Sequence, residues 1–179
     1  MNVFGPRIRI RPTIQRDLDF LQALWNDGSV MRFKGYPDGM HLTDACLTRW
    51  WAMTPQAQPA QDARPLTPPH CLIVRLDGTP LGEISYSLDT DGRARVDLKL
   101  APTHWGQGYA TEALTLLLRE LFAATAVRSV VVEPSPANLP AMHLFARCGF
   151  RPTPTDNHPD RWACTRVDFA NRRVVADVA

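Results

Sequence analysis

Lysine is almost missing from this chain. Among 179 residues there are two, Lys34 and Lys99, and the other basic side chains are arginines and five histidines. The net charge of +2 leaves no basic excess, so nucleic-acid binding is not expected from charge alone. Long apolar runs are also missing: none approaches the roughly 18 residues that cross a bilayer, so no membrane partner is expected. The start of the chain has Arg7, Arg9 and Arg11 with no apolar core behind them, which does not read as a secretory signal. Cys46, Cys71, Cys148 and Cys164 lie far apart with no CxxC pair. That spacing argues against a zinc site and a disulfide framework. Reduced thiols and a cytoplasmic setting are expected. His41, His70, His104 and His158 are scattered between loops, so no metal site is expected. No internal repeat is visible.

What is present is an ordinary globular mix, 45% hydrophobic and 21% charged, of a length that suits a single domain spanning 1–179. Ile8 and Ile10 alternate with arginines, which predicts a strand over Arg7 to Arg11. Thr13 is placed to cap a helix over Gln15 to Trp25, with an apolar stripe at Leu18, Leu21, Ala23 and Leu24. A turn-rich stretch leads to a second short helix, opened by Thr43 or Asp44 and running through Trp51. Trp50 and Trp51 cannot share one helix face, so one is expected in the core and one exposed. Residues 54–70 hold Pro55, Pro59, Pro65, Pro68 and Pro69, and read as an extended loop. It is either a passive insertion or a flap over a substrate.

Strands are then predicted at Cys71 to Leu76, Leu81 to Leu88 and Arg93 to Leu100. Asp77-Gly78 and Asp91-Gly92 between them read as hairpin turns, the first of type I′. Ala110, Ala113, Leu114, Leu117, Leu118 and Leu121 fit helical spacing. The run Val127 to Val132 is apolar and β-branched, a strand buried on both faces. A helix over Leu139 to Cys148 ends at Gly149, and Trp162 to Phe169 alternates as a last strand. The expected fold is α+β, three-layered. Its central sheet is mixed and mostly antiparallel, with six to seven strands flanked by helices.

Two stretches carry chemistry. In VDLKLAPTHWGQGYATEAL a strand ends and Trp105-Gly106-Gln107-Gly108-Tyr109-Ala110 opens the strongest helix. Glycines there allow close backbone approach, and a helix N-terminus favours anions, so this is either a pyrophosphate cradle or a tight turn. Its spacing fits neither a P-loop nor a Rossmann fingerprint. In VVVEPSPANLPAMHLFARCGF a buried strand is followed by a Pro-rich turn and a helix opened by Asn138, whose local role is an N-cap.

Together these stretches resemble the GNAT superfamily of acyl-CoA-dependent N-acyltransferases. Of the phosphate-loop pattern Q/R-x-x-G-x-G/A, Gly108 and Ala110 match, while Trp105 departs at the first position. The Trp-Gly-x-Gly-Tyr-Ala-Thr-Glu-Ala form, the N-terminal Arg-x-Arg-Pro strand and the Trp25-Asn26-Asp27 segment are similar to the branch that includes ribosomal-protein N-terminal acetyltransferases. The Glu133-Pro-Ser-Pro-x-Asn138 stretch is similar to aminoglycoside 6′-N-acetyltransferases.

The resemblance implies acetyl transfer from acetyl-CoA, as co-substrate, to a primary amine acceptor, with no metal. The thioester would lie in a split between the third long strand and the buried strand that follows. The main chain of Leu98 and Leu100 would pair with the pantetheine arm, and the amides of Trp105, Gly106, Gln107, Gly108, Tyr109 and Ala110 would hold the pyrophosphate. Thr111 would add a hydroxyl, Asn138 would bond the pantetheine, and Arg147 is either a CoA-phosphate contact or a solvated helix residue. A homodimer is common in such proteins. Asp97 and Glu83 are the candidate catalytic carboxylates, and Asp97 is expected to share a face with Arg95 and Lys99. The usual Tyr near the end of the last helix is Phe145, which cannot donate a proton. Either water, His143 or Cys148 serves instead, or the chain is a non-catalytic acyl-CoA-binding module. The acidic residues of the N-terminal helices hint at a cationic acceptor.

Overall fold

A computed structural model describes residues 2–54, 70–123 and 126–172. Eight strands form one sheet in the order β1-β2-β3-β4-β5-β6-β8-β7. They are β1 (Val3–Phe4), β2 (Ile8–Pro12), β3 (His70–Arg75), β4 (Pro80–Leu88), β5 (Arg93–Leu100), β6 (Ser129–Val132), β7 (Arg151–Pro152) and β8 (Trp162–Thr165). Neighbours run antiparallel except β5 and β6, which run parallel. The helices are α1 (Leu18–Asn26), α2 (Gly28–Met31), α3 (Asp44–Ala52), α4 (Tyr109–Ala123), α5 (Leu139–Arg147) and α6 (Arg166–Asn171). The sheet is therefore mixed and mostly antiparallel, as expected, with a short edge strand added at each end.

Strand alternation sorts the core into two layers. Ile8, Ile10, Ile73, Ile84 and Leu100 pack with Leu114, Leu117 and Leu118 of α4. On the other face Leu72 and Val74 pack with Leu21, Leu24 and Trp25 of α1 and Leu47 of α3. Full burial of each such side chain contributes about 1.5–3 kcal/mol, so both helical layers are anchored to β3. The valines of β6 are buried in succession, Val130 to Val132, which places both faces of that strand inside.

Several local expectations are corrected. Thr13 does not cap the first helix: it is buried and its hydroxyl lacks a hydrogen-bond partner among the described residues. The first turn over Gln15–Asp17 is 3₁₀, and Asp17 does the capping by accepting the Ile14 N–H at 2.8 Å. Arg11 pairs with the same carboxylate at 2.6 Å. The hairpins are not type I′, which needs left-handed backbone at both central residues. Here Gly78 (φ +93°) and Gly92 (φ +76°) are left-handed while Asp77 and Asp91 are not. Arg75 bonds Thr79 and Asp89 bonds Arg93 across the loops, the three-residue form that ends in a left-handed glycine. The last strand stops at Thr165, whose hydroxyl and Asp168 form a capping box that starts α6. Trp50 and Trp51 are both half-buried. Of the proline-rich loop predicted over 54–70, residues 55–69 lie outside the described residues.

Candidate active site

Strand β5 has one edge partly uncovered. It pairs with β4 along its whole length to Leu100, but with β6 only at Arg93, Ala94 and Arg95. Arg93 accepts the Asp89 N–H and Ala101 donates to Leu81 across the β4 side. In an antiparallel pair the main-chain groups alternate in direction. Odd positions of β5 therefore face β4, and Val96, Leu98 and Leu100 turn their N–H and C=O toward the β6 side. There the two strands have parted. Trp105, the residue that departs from the phosphate-loop pattern, donates its indole N–H to the Leu100 carbonyl at 2.8 Å, folding the loop back over the strand end.

Beyond this edge the chain turns through Gly106 (φ +73°) and Gly108 (φ +80°) into α4. The first helical bond runs from the Glu112 N–H to the Gly108 carbonyl, at 3.1 Å. The amides of Tyr109, Ala110 and Thr111 thus have no partner within the helix and point out of its positive end. Glycine is required at 106 and 108 because both are left-handed, and a Cβ on Gly108 would lie 3.2 Å from Arg7 Nη2. Arg7 clamps this corner. It donates Nη1 to the Gln107 carbonyl at 2.9 Å and Nε to Glu112 at 2.8 Å, and its guanidinium lies over the Tyr109 ring.

On the opposite face of β5 a pocket of about 360 Å³ opens between the sheet and the N-terminal helices. Its walls are mainly apolar: Trp25, Met31, Met40, Leu42, Leu47 and Trp50. Polar groups enter from Lys34, Tyr36, Cys46, Asp97 and Lys99.

Asp97 and Lys99 sit on one face of β5, as expected from alternation, and are bonded at 2.6 Å. The other Asp97 oxygen pairs with Lys34 at 2.9 Å. Burial works against the Asp97 charge, but the two ammonium groups outweigh it and hold the carboxyl at about 2. Glu83 lies directly across from Lys99 on β4 and is 1% exposed. It accepts the Trp25 indole N–H at 2.7 Å and the Lys99 ammonium at 3.4 Å, and its second oxygen bonds His70 Nδ1. Burial pushes its carboxyl up, yet Lys99, His70 and Trp25 together keep it below the usual carboxylate value. Lys99 loses charge preference through burial and regains more from Glu83 and Asp97, so its ammonium is held above the ordinary lysine value.

The sequence-predicted residues fall into three groups. Leu98, Leu100, Trp105 to Ala110 and Thr111 come together along the open edge and the start of α4. Asp97 lines the pocket, while Glu83 is buried among Trp25, His70 and Lys99 and is not part of the lining. Asn138 caps α5 by accepting the Ala141 N–H at 3.2 Å, and Arg147 and His143 are exposed on the same helix. Phe145 packs tilted against Phe150, ring centroids 5.4 Å apart. Burial lifts the Cys148 thiol to about 11, which makes it a poor proton donor to a thiolate. Sequence reasoning passed over Arg7, Lys34, His70 and the electrostatic part of Lys99. The rarity of lysine was the one available signal, since both lysines converge on Asp97.

Comparison with known proteins gives a consistent assignment. The sequence pattern of the Acetyltransferase (GNAT) domain family matches residues 7–151. The chain is 22% identical over 152 residues to the uncharacterized N-acetyltransferase p20 of Bacillus licheniformis, covering 83% of this chain and 82% of that protein. Its fold is similar to that of the aminoglycoside acetyltransferase AAC(6')-Ib in complex with coenzyme A, with a TM-score of 0.73, 22% identity, and 93% and 99% of the two chains covered. It is similar as well to spermidine N-acetyltransferase from Vibrio cholerae in complex with CoA and spermine, with a TM-score of 0.77, 16% identity, and 93% and 100% covered. No helix among the described residues is long and apolar enough to cross a membrane.

Proposed function

Because the chain belongs to the GNAT family of acetyltransferases, we propose that it transfers an acetyl group from acetyl-CoA to a primary amine, on a protein N-terminus or a small molecule, by direct attack in a ternary complex. The observation that carries this reading is the alignment of three features on one strand. β5 has an open edge past Arg95, helix amides without a partner among the described residues lie beyond its end, and the side chains of its opposite face floor a pocket. Acetyl-CoA bound along that edge would pair with the main chain of Leu98 and Leu100. Its pyrophosphate would meet the amides from Gly106 to Ala110, with the Thr111 hydroxyl alongside; the Trp105 amide, expected to join them, instead donates to the Pro102 carbonyl at 3.1 Å. Asn138 and Arg147 stand at the α5 side of the split, as candidates for the pantetheine and a phosphate.

The amine enters from the pocket and meets the carbonyl at the strand. Its nitrogen attacks the thioester carbon, forming N–C, and the C–S bond then breaks. The ammonium form of the acceptor loses one proton to reach the attacking state and a second from nitrogen after attack. One of these ends on the CoA sulfur, and the other goes to solvent. The Leu100 N–H, turned toward the split, is the donor placed to polarise the carbonyl oxygen. Asp97 contacts the acceptor and orients it. Phe145 supplies no acid from its place on α5, and a thiol with pKa near 8.5 departs as a thiolate without one. The test is mass spectrometry of the acceptor after incubation with acetyl-CoA. An N-acetylated product is expected. Tight acetyl-CoA binding with no acceptor modified would replace this reading with a non-catalytic acyl-CoA-binding module.

A further inference from the structure

The pocket constrains which amine can be the acceptor, and this inference rests on the acetyltransferase reading above. Two structural relatives are an aminoglycoside acetyltransferase and a spermidine acetyltransferase, and the acidic residues of the N-terminal helices suggest a cationic acceptor. The pocket lining speaks against a polycation. Among the described residues Asp97 is its one carboxylate, and both oxygens already carry an ammonium, Lys34 at 2.9 Å and Lys99 at 2.6 Å. Asp17 is tied to Arg11, and Asp44 accepts from Gln22. Neither lines the pocket. A second or third ammonium on the substrate would lose its hydration and meet lysines.

Among the described lining residues the same arrangement leaves little base strength. Asp97, doubly paired, is too weak a base to draw a proton from an alkylammonium efficiently. Glu83 is buried beneath Trp25 and satisfied by three donors. Tyr36 is an exposed phenol, and Cys46 reaches the pocket from α3 rather than from the strand that would carry the thioester. An acceptor must therefore arrive already neutral in useful amount. The walls, by contrast, offer Trp25, Met31, Met40, Leu42, Leu47 and Trp50 to an apolar body.

We infer that the acceptor is a monoamine of low basicity on an apolar body, an α-amine beside a carbonyl with an aromatic or aliphatic side chain, and that polyamines and aminoglycosides are poor substrates. The Trp25–Trp50 edge-on pair, with centroids 4.8 Å apart, forms the surface for that side chain.

The experiment compares phenylalanine amide, phenethylamine and spermidine as acceptors. At about pH 7.5 roughly a third of an α-amine is neutral, against about one part in a thousand of an alkylamine. Phenylalanine amide is expected to exceed phenethylamine at least tenfold in kcat/KM, with the gap narrowing as pH rises, and spermidine should be lower still. Lys34→Glu, which adds a carboxylate to the lining, should raise kcat/KM for spermidine. Spermidine or phenethylamine equal to the amide at neutral pH would overturn the inference while leaving the acetyltransferase reading in place, and so would an unchanged kcat/KM for spermidine in Lys34→Glu. No acetylation of any amine by a protein that binds acetyl-CoA would overturn both.

Discussion

Arg7 and Glu112 are joined twice. The Arg7 backbone N–H donates to Glu112 Oε1 at 2.9 Å, and its Nε donates to Oε2 at 2.8 Å. The pair links the start of β2 to the first turn of α4, 105 residues later. It also resolves an electrostatic problem. A lone carboxylate there would repel an anion held at the helix N-terminus, and Arg7 neutralises it.

Arg7→Ala should therefore weaken acetyl-CoA binding, by about three- to tenfold given that the arginine is half exposed and partly screened. KM for the amine should stay nearly constant. Adding Glu112→Gln should restore most of the affinity, because the carboxylate that Arg7 offset is gone. Calorimetric titration of the three proteins checks this. No rescue in the double variant would mean that Arg7 acts by shaping the loop rather than by charge.

The carboxylates beneath the pocket set an acid limit. Asp97 is held at about 2 and Glu83 below its ordinary value, whereas in an unfolded chain they titrate near 3.9 and 4.3. A group whose pKa is depressed by folding stabilises fully above the unfolded value and loses that contribution as pH falls through the folded one. Stability should thus be level from neutral down to about pH 5 and decline from there toward pH 2. Urea midpoints across that range measure it. Asp97→Asn should flatten the decline; a slope identical to the parent would show that the Lys34–Asp97–Lys99 chain contributes nothing to it.

Much of this was legible in the residues. Alternation along β5 put Asp97 and Lys99 on one face, and the glycines of Trp105-Gly106-Gln107-Gly108 announced a turn into a helix with free amides. Both are local signals, set by neighbours within a few positions. Alternation from Trp162 onward predicted a strand to Phe169, whereas the capping box of Thr165 and Asp168 turns the chain into α6. What could not be read are the contacts made by tertiary packing. Lys34 arrives at Asp97 from a turn after α2, Trp25 and His70 reach Glu83 from α1 and β3, and Arg7 reaches Glu112 from the start of β2, against which α4 packs. Glu83 looked like a candidate base because its burial and three donors come from elements distant in sequence.

The central claim is that the edge of β5 beyond Arg95, with the first turn of α4, receives acetyl-CoA. Residue-resolved hydrogen exchange with and without acetyl-CoA tests it most directly, since exchange reports the protection of individual amides. Exchange should slow at Leu98 and Leu100 and from Gly106 to Thr111. The odd-numbered amides of β5, already bonded to β4, should change little. Protection confined to other elements, or none at saturating acetyl-CoA, would contradict it.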